Sequence, residues 1–210
     1  MKRSKRILAL LLSMVLLFGM LPMSALAADS TFSDVKTSDW FYDDVRYVCE
    51  NGLMNGTGSG TFSPKATTTR GMIVTILHRL SGEPAVSGVC PFGDVAAGKY
   101  YEKAITWAAE NKIVSGYADG TFGPAKHITR AEFATIAALF FHAPEVSDDA
   151  FSDISNNWAR EYINRAAALG LVSGYPDGTF RPNKPITRAE VVSITNRMLN
   201  RSFDTDVRAT

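Results

Sequence analysis

An all-α fold built from three helix–loop–helix repeats is predicted by three observations. The 17-residue stretch GYADGTFGPAKHITRAE, beginning at Gly116, recurs as GYPDGTFRPNKPITRAE from Gly174 and, in worn form, as GTGSGTFSPKATTTRGM from Gly56. Each copy follows a Phe-x-Asp-hydrophobic cluster at matching distance: Phe32 lies 30 residues before Phe62, Phe92 30 before Phe122, and Phe151 29 before Phe180. Between those landmarks the apolar residues recur at i, i+3, i+4, the spacing of one helix face. Reuse of one unit three times points away from an enzyme and toward a binding module, which gains avidity by repetition.

The N-terminus comes first. Lys2, Arg3, Lys5 and Arg6 precede an apolar run from Ile7 to Met20, a break at Pro22 and a small-x-small site at Ala25-Leu26-Ala27. The run is shorter than the roughly 20 residues a membrane span needs, so residues 1–27 read as a signal peptide and the mature chain as an exported one beginning at Ala28. No Cys stands at the cleavage point to take a lipid anchor. Removing the four basic head residues from the 22 Lys+Arg leaves 18 against 21 Asp+Glu, a formal charge of −3. Nucleic acid is excluded as a partner, since neutralising phosphates needs a clustered basic excess.

The repeats divide as residues 28–88, 89–147 and 148–203, with a tail over 204–210. The first helix of each starts near Trp40, Tyr100 or Trp158, with stripes Val45/Val48/Cys49, Ile105/Ala108/Ala109 and Ile163/Ala166/Ala167. Ser38-Asp39 and Asn156-Asn157 are the candidate N-caps. Asp119-Gly120 and Asp177-Gly178 mark tight turns, and Phe62, Phe122 and Phe180 are expected to plug the core. Pro64, Pro124 and Pro182 then hold the chain extended. The second helix of each unit begins at Arg70, Arg130 or Arg188, with stripes Ile73/Ile76/Leu77/Leu80, Phe133/Ile136/Ala137/Phe140 and Val191/Ile194/Thr195/Met198. Packing these three second helices together as a central bundle is the economical arrangement. Neither helix buries its stripe alone, so the repeats should fold as one body.

Thr129-Arg130-Ala131-Glu132 and Thr187-Arg188-Ala189-Glu190 have the capping-box pattern, which accounts for Thr and Glu but not for Arg. A cation in the first helical turn opposes the macrodipole. Its threefold recurrence points to an anion held there, or to an internal pair with Asp34, Asp94 or Asp153. Cys49 and Cys90 leave two readings side by side, a disulfide and free thiols. The residues show no zinc spacing, each Asp-Gly loop has too few acids for calcium, and His78, His127 and His142 occupy unrelated repeat positions. No cofactor and no catalytic step is expected.

Phe-x-Asp-Val, an aromatic about eight residues on, GYxDGTFxP and ITRAE together resemble the S-layer homology family, over about Phe32 to Arg201. The resemblance implies a three-repeat pseudo-threefold spindle with a central three-helix bundle. It further implies non-covalent anchoring of exported proteins to an anionic, often pyruvylated, secondary cell-wall polysaccharide, with peptidoglycan itself as another ligand, on a monomeric pseudo-trimer at the cell surface. The family's binding Arg maps to Arg70, Arg130 and Arg188, and the helix N-terminus beside each is expected to offer amide donors to the ligand carboxylate. Trp40, Tyr100, Trp158, Tyr117 and Tyr175 are candidates to lie against sugar faces, with core packing as the other reading. Gly116 and Gly174, like Gly56, are expected to let backbone approach the ligand. The first repeat departs from the pattern: Thr57, Ser59, Thr68 and Gly71-Met72 stand for Tyr, Asp, Ile and Ala-Glu. Its own arginine, Arg70, is therefore expected to serve less well than Arg130 and Arg188. A self-assembling lattice or protein-interaction module is the alternative function. Beyond Arg201 only Ser202–Thr210 remain, which leaves open a stand-alone wall-binding protein or a fragment whose cargo lies further on.

Overall fold

The computed structural model describes residues 32–199; the signal peptide and the tail read from the sequence lie outside them. Among these described residues six helices follow in order: α1 (Tyr42–Glu50), α2 (Arg70–Leu80), α3 (Glu102–Glu110), α4 (Arg130–Phe140), α5 (Arg160–Ala168) and α6 (Arg188–Met198). The described residues contain isolated β-bridges but no sheet. The predicted stripes are the buried ones. Val45, Val48, Ile105, Ala108, Ile163 and Ala166 are fully enclosed, with Cys49, Ala109 and Ala167 at the core's rim.

The first helices start two residues later than the aromatics that were expected to open them, and the proposed polar caps do not cap. Phe41, Tyr101 and Ala159 hold the N-cap positions without side-chain capping bonds. Asp39 and Asn157 instead shape the turn just before: Asp39 Oδ2 accepts from the Lys36 amide at 2.7 Å, and Asn157 Oδ1 from the Ala159 amide at 2.9 Å. The second helices are capped as read. Thr129–Glu132 and Thr187–Glu190 form reciprocal capping boxes, whereas Thr69 accepts from the Met72 amide with no carboxylate to reciprocate.

Each connecting loop hangs on the Asp of its Phe-x-Asp cluster. Asp34, Asp94 and Asp153 each accept two consecutive amides, from Phe62 and Ser63, Phe122 and Gly123, and Phe180 and Arg181, at 2.7–2.8 Å. The second residue of each pair is left-handed, with φ of 58° at Ser63, 71° at Gly123 and 57° at Arg181. A non-glycine residue there is strained by roughly 1 kcal/mol, which the bidentate carboxylate offsets. Phe62, Phe122 and Phe180 are 0% exposed, so the loops drive one aromatic each into the core.

The repeats join in a closed ring. The Thr68 amide donates to Ile186 O, Ile186 to Ile128 O, and Ile128 back to Thr68 O, at 2.9–3.1 Å. The first two amides of each second helix donate onward to the next repeat: Arg70 and Gly71 to Lys126 O and Pro124 O, Arg130 and Ala131 to Lys184 O and Pro182 O, Arg188 and Ala189 to Ala66 O and Pro64 O. Helix packing has the same direction, since each second helix lies chiefly on the first helix of the following repeat: α2 on α3, α4 on α5, and α6 on α1. It is this hand-over, rather than contact among the second helices, that carries most of the helix packing. Both cysteines are free thiols, and burial raises the Cys49 thiol above its ordinary value.

Two places in the ring are imperfect. Thr68 replaces Ile at the three-way junction, is 0% exposed, and its Oγ1 lacks a hydrogen-bonding partner among the described residues. At the seam of α6 on α1, Asp44 is 8% exposed, and loss of hydration pushes its carboxyl up to about 6 against the relief given by Ser193 and Arg197. The equivalent residues are Ala104 and Tyr162, so at this position of the first helix the acid is particular to this seam.

Thr68→Val keeps the shape and removes the unsatisfied hydroxyl; it should raise unfolding free energy by about 1 kcal/mol in urea titration. Asp44 binds its proton more tightly folded than unfolded, so its contribution is fully present below about pH 4 and is lost as pH rises to about 6. The stability difference between Asp44→Asn and wild type should therefore shift in the variant's favour by on the order of 2 kcal/mol between pH 4 and 7, and stay flat above. Equal pH slopes for the two proteins would show that Asp44 is not the group responsible.

Candidate functional site

The ring creates three grooves, each assembled from all three repeats. One groove joins Arg70 of the first repeat, Gly116 and Tyr117 of the second and Trp158 of the third, around a volume of about 610 Å³. The next joins Arg130, Tyr175 and Trp40, at about 260 Å³, and the last joins Arg188, the Gly56-Thr57 loop and Tyr100, at about 430 Å³. The three arginines, the two loop tyrosines and the three helix-leading aromatics thus come together as three separate sets. Trp40, Tyr100 and Trp158 are 42%, 60% and 65% exposed, which removes core packing as their role.

The arginines are held far more firmly than the sequence implied. They are 4–7% exposed, and each sends Nε to the carbonyl of the core-plugging Phe in the next repeat: Arg70 to Phe122 at 2.9 Å, Arg130 to Phe180 at 2.7 Å and Arg188 to Phe62 at 2.8 Å. The guanidinium carbon stands 4.3–4.7 Å above the same Phe ring. Arg130 and Arg188 also donate Nη2 to Ser173 O and Asn55 O, both at 2.7 Å. An internal partner was foreseen, but in Asp34, Asp94 and Asp153, whose carboxylates are occupied by loop amides. Burial lowers Arg130 and Arg188 below the usual arginine value.

Two further expectations are corrected. The helix N-terminal amides are not available to a ligand, because the first two donate to the next repeat and the third to the capping Thr. The glycines answer to packing. A Cβ at Gly116 would stand 2.4 Å from the Phe92 ring, and one at Gly174 2.5 Å from Phe151. Gly116 lines the Arg70 groove, but the Arg130 groove is lined by Ser173 and Tyr175 rather than by Gly174.

Charged residues beyond the arginines complete two of the grooves. In the Arg70 groove, Glu132 Oε1 accepts from Arg70 Nη1 and from the Tyr117 hydroxyl, both at 3.1 Å, while Lys126 Nζ sits 4.1 Å over the Tyr117 ring. In the Arg130 groove, Glu190 Oε1 lies 3.9 Å from Arg130 Nη1 and 3.7 Å from Lys184 Nζ, which donates to the Tyr175 hydroxyl at 2.8 Å. Sequence reasoning gave Glu132 and Glu190 only a capping role and passed over Lys126 and Lys184. Their shared spacing, nine residues after Tyr117 and Tyr175, was the available signal. In the Arg188 groove the matching positions are Met72, Thr57 and Ala66.

The wear in the first repeat therefore falls on a different arginine from the one the sequence suggested. Arg70 belongs to the worn repeat but faces the intact loop of the second; Arg188 belongs to an intact repeat but faces the worn loop. Asp119 and Asp177 stay out of the grooves' arginine contacts and shape their turns, each accepting from a Thr amide and hydroxyl that lower its carboxyl. His78 Nε2 contacts Pro84 O and His127 Nδ1 contacts the Thr67 hydroxyl at 2.8 Å, and neither ring lines the Arg130 or Arg188 groove. Among the described residues no cluster of His, Cys, Asp and Glu could hold a metal ion, and no helix is long and apolar enough to cross a membrane.

Known proteins share this pattern. The S-layer homology domain model matches residues 31–71, 91–134 and 150–192. The chain is 36% identical over 163 residues to cell surface glycoprotein 1 of Acetivibrio thermocellus, covering 70% of this chain and 7% of that protein. It is 35% identical over 180 residues to the cellulosome-anchoring protein of the same organism, covering 79% and 40% respectively. The endoglucanase of Bacillus sp. strain KSM-635 is 30% identical over 214 aligned residues, covering 94% of this chain and 22% of that enzyme. The chain thus spans less than half the length of each of these relatives. With three matched segments covering more than half of its residues, the chain belongs to the S-layer homology domain family.

Proposed function

We propose that this chain is an exported, non-covalent cell-wall anchoring module. It grips an anionic secondary wall polysaccharide, pyruvylated in the simplest case, in the Arg70 and Arg130 grooves. The observation that carries the reading is the paired recurrence of Arg, Glu, Tyr and Lys beneath an exposed Trp, in two grooves and not in the third. A sugar offers hydroxyls that both donate and accept, and a carboxylate substituent adds one charge. Glu132 and Glu190 accept from hydroxyls, Lys126 and Lys184 supply mobile cations, and Trp158 and Trp40 offer faces for apolar sugar surfaces. The buried arginine sets the positive potential of the groove floor while its Nε holds the loop in place.

Family membership and the relative named as a cellulosome-anchoring protein support attachment to the wall. No catalytic step is assigned to the grooves. Two equivalent grooves on one rigid body raise avidity by about 10²–10⁴ when one polymer reaches both.

The test is co-sedimentation of residues 28–210 with purified bacterial walls before and after acid removal of the secondary polysaccharide. The variant is Lys126→Ala/Lys184→Ala, because both lysines are exposed and join the ring through their backbone carbonyls alone, which the substitutions keep. Binding should fall by about tenfold or more in the variant and vanish on stripped walls. Retention on stripped walls would transfer the reading to peptidoglycan, and absence of binding to every wall would sink the anchoring role.

A further inference from the structure

The Arg188 groove is not simply a damaged copy of the other two. Arg188 is 4% exposed, yet no carboxylate lies within ion-pair distance of it among the described residues, whereas Arg70 and Arg130 each have a glutamate. Its Nε and Nη2 are bound to backbone carbonyls, and Met72 stands where the glutamate that faces Nη1 stands elsewhere. A second guanidinium, Arg79, lines the same groove; it donates to Leu53 O and pairs only at 3.7 Å with the outward Glu83. The equivalent positions in the other two units are Leu139 and Arg197. The Arg188 groove therefore presents two cations, the Tyr100 hydroxyl, the Thr57 hydroxyl, which also meets Ser63 Oγ at 2.6 Å, and no carboxylate.

This donor set differs in kind from that of the other grooves. A sugar's hydroxyls need acceptors as well as donors, which Glu132 and Glu190 provide. A lining of guanidinium and hydroxyl donors without an acidic acceptor suits a ligand made of acceptors alone, with charge enough to balance two buried or half-buried cations. The Arg130 groove has twice as many cations, with Lys65, Lys184 and Arg197 beside its arginine, but Glu190 stands among them and repels a dianion. We propose that the Arg188 groove is a separate oxyanion site that takes a phosphoryl group, as a phosphate ester carried by a polymer or as the free ion. The bound phosphoryl oxygens occupy the side of Arg188 that the glutamate carboxylate occupies in the other two grooves, and Arg79 closes the second side.

The proposal rests on this groove's own donors and stands apart from the wall-binding reading. The decisive variant is Met72→Glu, which restores the capping-box residue and supplies Arg188 with an internal counter-charge. It should leave the fold intact and raise its melting temperature while removing the oxyanion site. With ¹³C-methyl-methionine-labelled protein at constant ionic strength, the Met72 methyl resonance should shift and saturate with inorganic phosphate and with glycerol 3-phosphate. Acetate should act about tenfold more weakly. Arg79→Gln should weaken the phosphate response by about tenfold, and Met72→Glu, followed through the neighbouring Met54 methyl, should abolish it. Saturation by glycerol 3-phosphate at lower concentration than by phosphate assigns an ester; the reverse assigns the free ion. An absent response in wild type, equal responses to acetate and phosphate, or an undiminished response in Met72→Glu would overturn the proposal. Wall co-sedimentation of Met72→Glu should match wild type, so the two readings fail independently.

Discussion

Everything in this molecule depends on a hydrogen bond that leaves one repeat and enters the next: arginine Nε to the carbonyl of the buried phenylalanine. A single unit has a loop carrying an aromatic with nothing to fill, and a helix whose first amides have no partner. The next unit supplies both. Its Phe is pinned from the outside by the arginine, and its loop carbonyls receive the amides at the start of the preceding helix. A charge-assisted bond to a buried carbonyl contributes about 1.5–3 kcal/mol, several times the few tenths that a first-turn cation costs against the macrodipole. Three such bonds close a ring, which is why three weak units make one stable body.

This clasp was invisible in the sequence, although everything around it was legible. The helix stripes, the capping boxes at Thr129 and Thr187, the Asp-Gly turns and the core-plugging Phe residues are all local or periodic features, and they can be read from spacing alone. The arginine's partner lies 50 to 126 residues away and is a backbone carbonyl, which carries no residue identity to recognise. The mispositioned caps have a related cause. Ser38-Asp39 and Asn156-Asn157 are turn formers and helix caps by the same chemistry, and only the path of the chain decides which role they take.

The direction of the hand-over also relocates the consequences of sequence wear. Reading along the chain, a degraded loop belongs with the arginine of its own repeat. In the folded ring it belongs with the arginine of the repeat before, and for the first repeat that is Arg188 at the other end of the chain. Replacement of Glu, Tyr and Lys by Met72, Thr57 and Ala66 strips one groove of its polar set together, while Arg188 persists. Persistence without the set fits a residue kept for ring closure. Joint loss fits side chains that act together on something outside the protein.

That separation of duties bears on how such a module can change what it binds. The arginine cannot be altered without loosening the ring, so a positive floor is common to all three grooves. Specificity is left to the residues around it, on loop and first-turn positions that make no ring-closing contact through their side chains. Exchanging one glutamate for methionine removes the carboxylate acceptor from a groove, at the expense of only the reciprocal half of a capping box, since Thr69 still caps its helix. The remaining capped helices and the closed ring hold the fold. A chain of three near-identical units can thus carry two grooves of one kind and one of another, with the unlike groove assembled across the only repeat junction that the chain does not connect covalently.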